Sequence, residues 1–94
     1  MSILKSRKLT TGRVLKSFRV KLELTQKEVA DLVEISIPNL SAIENDKRKI
    51  GADVAARFSV LFKVPLQFIL YPNGIDKMKG FKRLNKASES LKSA

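Results

Sequence analysis

The side chains best suited to binding chemistry lie in the middle of the chain, starting at Thr25. Thr25-Gln-Lys-Glu28 has the capping-box spacing, in which a threonine hydroxyl and a glutamate carboxylate satisfy backbone N–H groups at the start of a helix. This helix would present Gln26 and Lys27 at its positive N-terminal end, which favours an anion such as a phosphate. The alternative interpretation is a solvated helix start.

A second helix is predicted to follow, with Ser36 as its N-cap and Pro38 in its first turn, where a missing N–H costs little. Leu40 and Ile43 fall on its inner side. The outer side then carries short side chains, which would let the helix enter the major groove of DNA, about 12 Å wide. The predicted base-facing residues are Ile37, Pro38, Ser41 and Ala42, with Asn39 if it turns outward.

Two short helices joined by a three-residue turn are typical of a helix-turn-helix. Polar and basic residues follow the second helix, and we interpret them as contacts to the DNA backbone. For the basic residues, the alternative is a solvated charged loop. The phosphate contacts predicted from these residues are Gln26, Lys27, Ser36, Lys47, Arg48 and Lys49.

The charge of the chain is compatible with a polyanionic partner. The 94 residues contain 19 Lys and Arg against 9 Asp and Glu, a net charge of +10. Residues 1–24 hold seven basic and one acidic residue, residues 25–74 six of each, and residues 75–94 six basic and two acidic. Basic ends attract nucleic acid or anionic membrane, although a solubilising surface is the alternative.

Composition argues against catalysis and against metal or cofactor binding. The chain has no Cys and no His, so it lacks thiolate ligands, disulfides and the commonest general base. We expect no enzyme activity, no cofactor and no metal. No apolar run approaches the roughly 20 residues of a membrane span, and the first residues lack the apolar stretch of a signal peptide. We therefore expect a cytoplasmic protein without a membrane partner.

Apolar periodicity predicts an all-α fold of five helices, at 13–23, from 25, from 36 to 46, 52–62 and 65–70. Tyr71-Pro-Asn-Gly74 is a strong stop signal. This gives a basic N-terminal arm at 1–11, a helix-turn-helix domain at 12–72 and a basic C-terminal tail at 73–94. Near the stop, three residues are assigned to either the core or a dimer interface: Phe68, Ile69 and Tyr71.

The tail allows several interpretations. Phe81, Leu84 and Leu91 fall near one another on a helical wheel and favour a short amphipathic helix, although Gly80 weakens its continuity. The tail could be disordered, embrace a dimer partner, bind a second protein or add phosphate contacts. A membrane-surface helix is the least favoured, because the apolar face is short.

The segment from Leu24 to Lys49 resembles the lambda-repressor-like, Cro/C1-type (Xre) DNA-binding domain, and the resemblance covers residues 12–72. The matching residues are Leu24-Thr25-Gln26, Glu28-Val29-Ala30, Leu40, Ile43-Glu44, Lys47-Arg48, Phe62-Lys63-Val64-Pro65 and Ile69-Leu70. The resemblance implies a compact five-helix bundle that works as a homodimer on a pseudo-palindromic operator. It implies phosphate binding by Gln26 and Asn45 beside Lys47 and Arg48. It also implies base-facing roles for Ile37, Pro38, Ser41 and Ala42, and a structural ion pair between Arg19 and Glu44.

The sequence departs from this family at several positions. Glu34, Asp46 and Lys63 stand where the family usually has glycine. The base-facing residues include no Gln or Arg, which supply the bidentate hydrogen bonds to adenine and guanine. We therefore expect modest direct readout, with more weight on phosphate contacts and DNA shape.

The expected function is that of a sequence-specific, double-stranded DNA-binding transcriptional regulator, a repressor acting as a homodimer on an operator. One alternative is the antitoxin of a toxin–antitoxin pair, which would bind its toxin through the tail and autoregulate its operon. Another is an interaction or RNA-binding module that kept the fold but lost operator recognition.

Overall fold

The computed structural model describes residues 8–93, and within them it contains six α-helices, one 3-10 helix and no strand. The all-α class is confirmed. Most of the predicted N-terminal arm, residues 1–7, lies outside the described residues. The helices are α1 (Thr11–Lys21), α2 (Gln26–Val33), α3 (Ile37–Glu44), α4 (Ala52–Phe62), α5 (Leu66–Leu70), the 3-10 helix (Ile75–Lys77) and α6 (Phe81–Ser93).

Side-chain caps explain where the first three helices begin. Thr25 and Ser36 accept hydrogen bonds from the backbone N–H groups of Glu28 and Asn39, at 3.0 and 3.2 Å. The predicted start of helix 1 was wrong by two residues, because Thr10 is the N-cap and accepts from the N–H of Arg13 at 3.1 Å. The predicted end was also wrong, since α1 stops at Lys21.

The core fixes the helix-turn-helix, α2 and α3, against the rest of the protein. The rings of Phe18 and Phe62 stack with their centroids 5.3 Å apart, which joins α1 to α4. Ile69 is fully buried, so it belongs to the core and not to an exposed interface. The largest fully buried side chains come from α1 to α5: Leu15, Val29, Val33, Leu40, Phe58 and Ile69.

Three residues that replace an expected glycine adopt the left-handed conformation. Glu34, Asp46 and Lys63 have φ angles of 61°, 58° and 54°. For a residue with a Cβ atom, the left-handed conformation is roughly 1–2 kcal/mol less favourable than the right-handed one. Glycine has no Cβ and avoids this cost. The chain therefore keeps the turn geometry of a glycine at the ends of α2, α3 and α4 while it carries a charged side chain at each.

Asp46 compensates for its strained backbone by capping α1. Its Oδ2 accepts from the Thr10 hydroxyl at 2.6 Å, and its Oδ1 accepts from the Gly12 N–H at 3.0 Å. A Cβ added to Gly12 would lie 2.5 Å from the carbonyl oxygen of Glu44. The first turn of α1 thus lies directly against the last turn of α3, and only glycine fits between them.

The predicted tail forms ordered structure within the described residues. α6 contacts the 3-10 helix, and residues 82–92 are exposed. Residues 8–93 therefore contain one α-helix more than the five predicted. No single helix within residues 8–93 has the length and hydropathy to cross a membrane. α4 and Leu66–Lys77 reach that length and hydropathy only when they are taken together, and a bend of 119° separates them.

Gly12→Ala tests the close approach of α1 and α3. The added methyl group would overlap backbone carbonyl oxygens, so we expect the free energy of unfolding to fall by about 1–3 kcal/mol. Gly51→Ala is the control, because its Cβ would meet no atom within 4 Å. Urea unfolding followed by circular dichroism measures both. Equal midpoints for the two variants would contradict the close approach.

Candidate nucleic-acid interface

α3 has one buried side and one open side. Leu40, Ile43 and Glu44 face inward and are 0%, 3% and 4% exposed. On the open side, Ile37 and Pro38 are exposed, whereas the smaller Ser41 and Ala42 are half-buried. Because all four side chains are short, the backbone of α3 can approach a bound surface closely. A helix with side chains is about 10–12 Å across, which matches the width of the DNA major groove.

Asn39 lies at the edge of this open side and is not free to turn outward completely. It is half-buried, and its Oδ1 accepts a hydrogen bond from Arg48 Nη1 at 3.0 Å. Its amide N–H groups remain as donors. Asn39 therefore joins α3 to the basic loop that follows, which is a different placement from that of the other predicted base-facing residues.

A buried carboxylate network lies behind the open side. The Glu44 side chain is 1% exposed, and its Oε2 accepts from Arg19 Nε at 2.7 Å. Its Oε1 accepts from Arg19 Nη2 and from Gln26 Nε2, both at 3.1 Å. Arg19 also donates to the carbonyl of Leu24 at 3.0 Å. The structure thus forms the expected Arg19–Glu44 ion pair and connects α1, α2 and α3 through one carboxylate.

The start of α2 carries two of the predicted phosphate contacts. Gln26 is half-buried and uses one amide hydrogen on Glu44, which leaves the second available for a phosphate. Lys27 is exposed, and its Nζ lies 2.9 Å from Asp31 Oδ2, a contact that raises the pKa of Lys27. An exposed pair of this type contributes little to stability, so a phosphate can replace Asp31.

The capping box that positions this helix start is complete. The Thr25 N–H donates to Glu28 Oε1 at 2.8 Å, and hydrogen bonds from Thr25 hold the pKa of Glu28 below its usual value. Gln26 and Lys27 are therefore the first residues of a helix whose N-terminal backbone geometry is fixed.

The other predicted phosphate contacts lie at the two ends of α3. Ser36 is the exposed N-cap. At the other end, Asn45 is exposed, and its side-chain amide donates to the Ser41 carbonyl at 2.8 Å. The following loop exposes three cations, Lys47, Arg48 and Lys49. The predicted set therefore occupies the start of α2 and both ends of α3, around the open side.

Two features of this region were missed by sequence analysis. Arg57 on α4 donates a hydrogen bond from Nη1 to the carbonyl of Val33 at 3.0 Å. This bond holds the end of α2 against α4. In addition, Arg13 and Lys16 on α1 line the same groove as Asn45. The spacing of residues on α1 indicates an exposed face, but sequence gives no signal that this face lies beside the end of α3.

Comparisons with known proteins identify the family of this chain. A helix-turn-helix family model matches residues 15–69, more than half of the chain, which confirms the resemblance. The HTH-type transcriptional regulator ImmR of Bacillus subtilis is 33% identical over 78 residues, a match that covers 83% of this chain. The chain spans 61% of the length of ImmR.

Two solved structures share the fold. The P22 c2 repressor protein, in complex with a synthetic operator, has a TM-score of 0.65 at 17% identity, covering 68% of this chain and 97% of that one. PA4674 of Pseudomonas aeruginosa, in complex with its operator DNA, has a TM-score of 0.61 at 20% identity, covering 93% of this chain and 91% of that one. At such identities, both likenesses establish the fold alone.

Proposed function

This chain belongs to the helix-turn-helix family, and we propose that it is a transcriptional regulator that binds a specific sequence of double-stranded DNA and represses transcription as a homodimer. The observation that carries the proposal is the open side of α3. Two groups that could bind phosphates contact α3: the start of α2, through the hydrogen bond from Gln26 to Glu44, and the cationic loop 47–49, through the hydrogen bond from Arg48 to Asn39. In the major groove, α3 would face the bases while these flanking groups bind the phosphates.

The chemistry of this side favours apolar contact and DNA shape over base-edge hydrogen bonds. Ile37, Pro38 and Ala42 can pack against thymine methyl groups, and Ser41 can hydrogen-bond to a base. Sequence preference would then depend on how easily the operator adopts the geometry that the phosphate contacts impose. Phosphate contacts would supply most of the affinity and make it depend on salt.

Exposed apolar side chains near α5 support the homodimer. Phe68 and Tyr71 are 36% and 38% exposed, although Ile69 between them is buried. A second copy of the chain could cover these side chains and place two α3 helices about 34 Å apart, in successive major grooves. The antitoxin alternative, with a toxin bound to the tail, stays a prediction that a neighbouring toxin-like gene would favour.

Selection of bound sequences from random duplexes, at a stated salt concentration, tests the proposal. We expect a pseudo-palindromic motif with half-sites about one helical turn apart, because each α3 of a dimer reads one half-site. RNA duplexes of the same length are the control. Equal binding of random DNA, selected DNA and RNA would contradict sequence-specific regulation and favour a module that has lost operator recognition.

Gln26→Ala should weaken DNA binding about tenfold or more for every sequence, because it removes a hydrogen bond to a phosphate and not to a base. The control is Asn85→Ala, which removes an exposed side-chain amide on α6. Fluorescence anisotropy with the selected duplex and with a scrambled one measures both. A loss confined to the selected duplex would contradict phosphate binding. Thermal unfolding of each variant detects any effect of losing the bond to Glu44.

Ala42→Gln should change the preferred base at one position of each half-site. The new amide can form a bidentate contact to adenine, which is worth about 1–3 kcal/mol of discrimination. Ala56→Gln, at an exposed position of α4, is the control. Repeating the selection with both variants gives the readout. An unchanged motif for Ala42→Gln would show that the open side of α3 does not face the bases.

A further inference from the structure

A second cationic surface lies beside α3, and its cations are not among the predicted DNA contacts. A groove of about 760 Å³ separates the exposed face of α1 from the end of α3. Four cationic side chains line it, together with Leu9, Ser17 and Val20 from the same side. The four cations, which we call the α1 groove cations, are Lys8, Arg13, Lys16 and Lys21.

The acidic residues of the groove do not balance these cations. Glu44 is neutralised by Arg19 and is almost completely buried. The hydrogen bonds that Asp46 accepts come from neutral groups, the Thr10 hydroxyl and the Gly12 N–H, so Asp46 is the one carboxylate left to set against four cations in the described groove lining. The Arg13 guanidinium donates to a neutral group, the carbonyl of Lys8, at 3.0 Å. The groove therefore presents an uncompensated positive potential, which attracts an anion.

The groove is continuous with the candidate interface. Asn45, a predicted phosphate contact at the end of α3, also forms part of the groove wall. The groove combines its cations with two apolar side chains, Leu9 at 47% and Val20 at 56% exposed. A DNA backbone has complementary groups, because its charged phosphates alternate with less polar deoxyribose rings. Proteins contact both groups without sequence preference.

We propose that the α1 groove binds the sugar-phosphate backbone of the operator, as an extension of the contacts made at Asn45. The inference rests on the proposed DNA binding and deepens it, because it assigns a second set of backbone contacts to α1. Lys16 and Ser17 lie in the middle of α1, so they would bind phosphates from a rigid helix and not from a loop. These contacts add affinity and fix the orientation of α3, but they carry no base readout.

The double variant Lys16→Gln with Lys21→Gln tests the groove. The control is Lys63→Gln with Lys77→Gln, which removes two positive charges outside the groove lining. We expect the groove variant to bind the selected duplex, of about 30 base pairs, at least tenfold more weakly than the control. The slope of log K against log salt should decrease by about 0.9 for each phosphate that the variant no longer neutralises. Fluorescence anisotropy between about 50 and 200 mM salt measures both quantities.

Phosphate ethylation interference then locates the bound phosphates on the duplex. The groove variant should show no interference at particular phosphates where the control and Gln26→Ala both still show it. If the groove variant matches the control in affinity and slope, the groove assignment is wrong, and the proposed function still stands. A weaker affinity with an unchanged interference pattern would indicate only general charge attraction and would also overturn it. If the unaltered chain binds no duplex, both proposals fail.

Discussion

The position of α3 depends on one buried carboxylate. Glu44 accepts hydrogen bonds from Arg19 on α1 and Gln26 on α2, while its own backbone ends α3. Removing one partner of such a buried pair costs about 3–5 kcal/mol, because a charge is left in a poorly solvated site. Gln26 is also a predicted phosphate contact. The carboxylate that fixes α3 therefore also orients a side chain that is predicted to bind the DNA backbone. If Gln26 binds a phosphate as proposed, folding and DNA recognition depend on the same hydrogen bonds.

Asp46 shows how the chain tolerates a residue that is poorly suited to its turn. A glycine there would relieve the strain of a positive φ angle but would leave the Thr10 hydroxyl and the Gly12 N–H without their acceptor. The carboxylate also places negative charge at the N-terminus of α1, where the helix dipole is favourable. Aspartate in place of glycine therefore costs backbone strain but adds a contact between the start of α1 and the end of α3. Asp46 also lines the α1 groove.

Local signals were sufficient for the helix-turn-helix and for the bounds of α4, but not for the start of α1 or for the contacts between elements. The capping box at Thr25 and the N-cap at Ser36 act within three residues, so sequence alone predicted the starts of α2 and α3. The start of α1 at Thr10 involves Asp46, which is 36 residues away in sequence. The pairing of Asn39 with Arg48 likewise depends on how the loop folds back. Such contacts between distant residues have no periodic signature.

If α3 reads DNA as proposed, its short side chains make rigidity important for sequence specificity. Long polar side chains can adjust to a base edge, but Ile37, Pro38 and Ala42 can only fit or fail to fit the groove surface. Discrimination would then arise from the energy needed to deform a given sequence to meet fixed phosphate contacts. Such readout requires that the contacts on α1, on α2 and after α3 keep constant separations. The Glu44 network and the Asp46 cap supply this constraint, because they join those three elements directly.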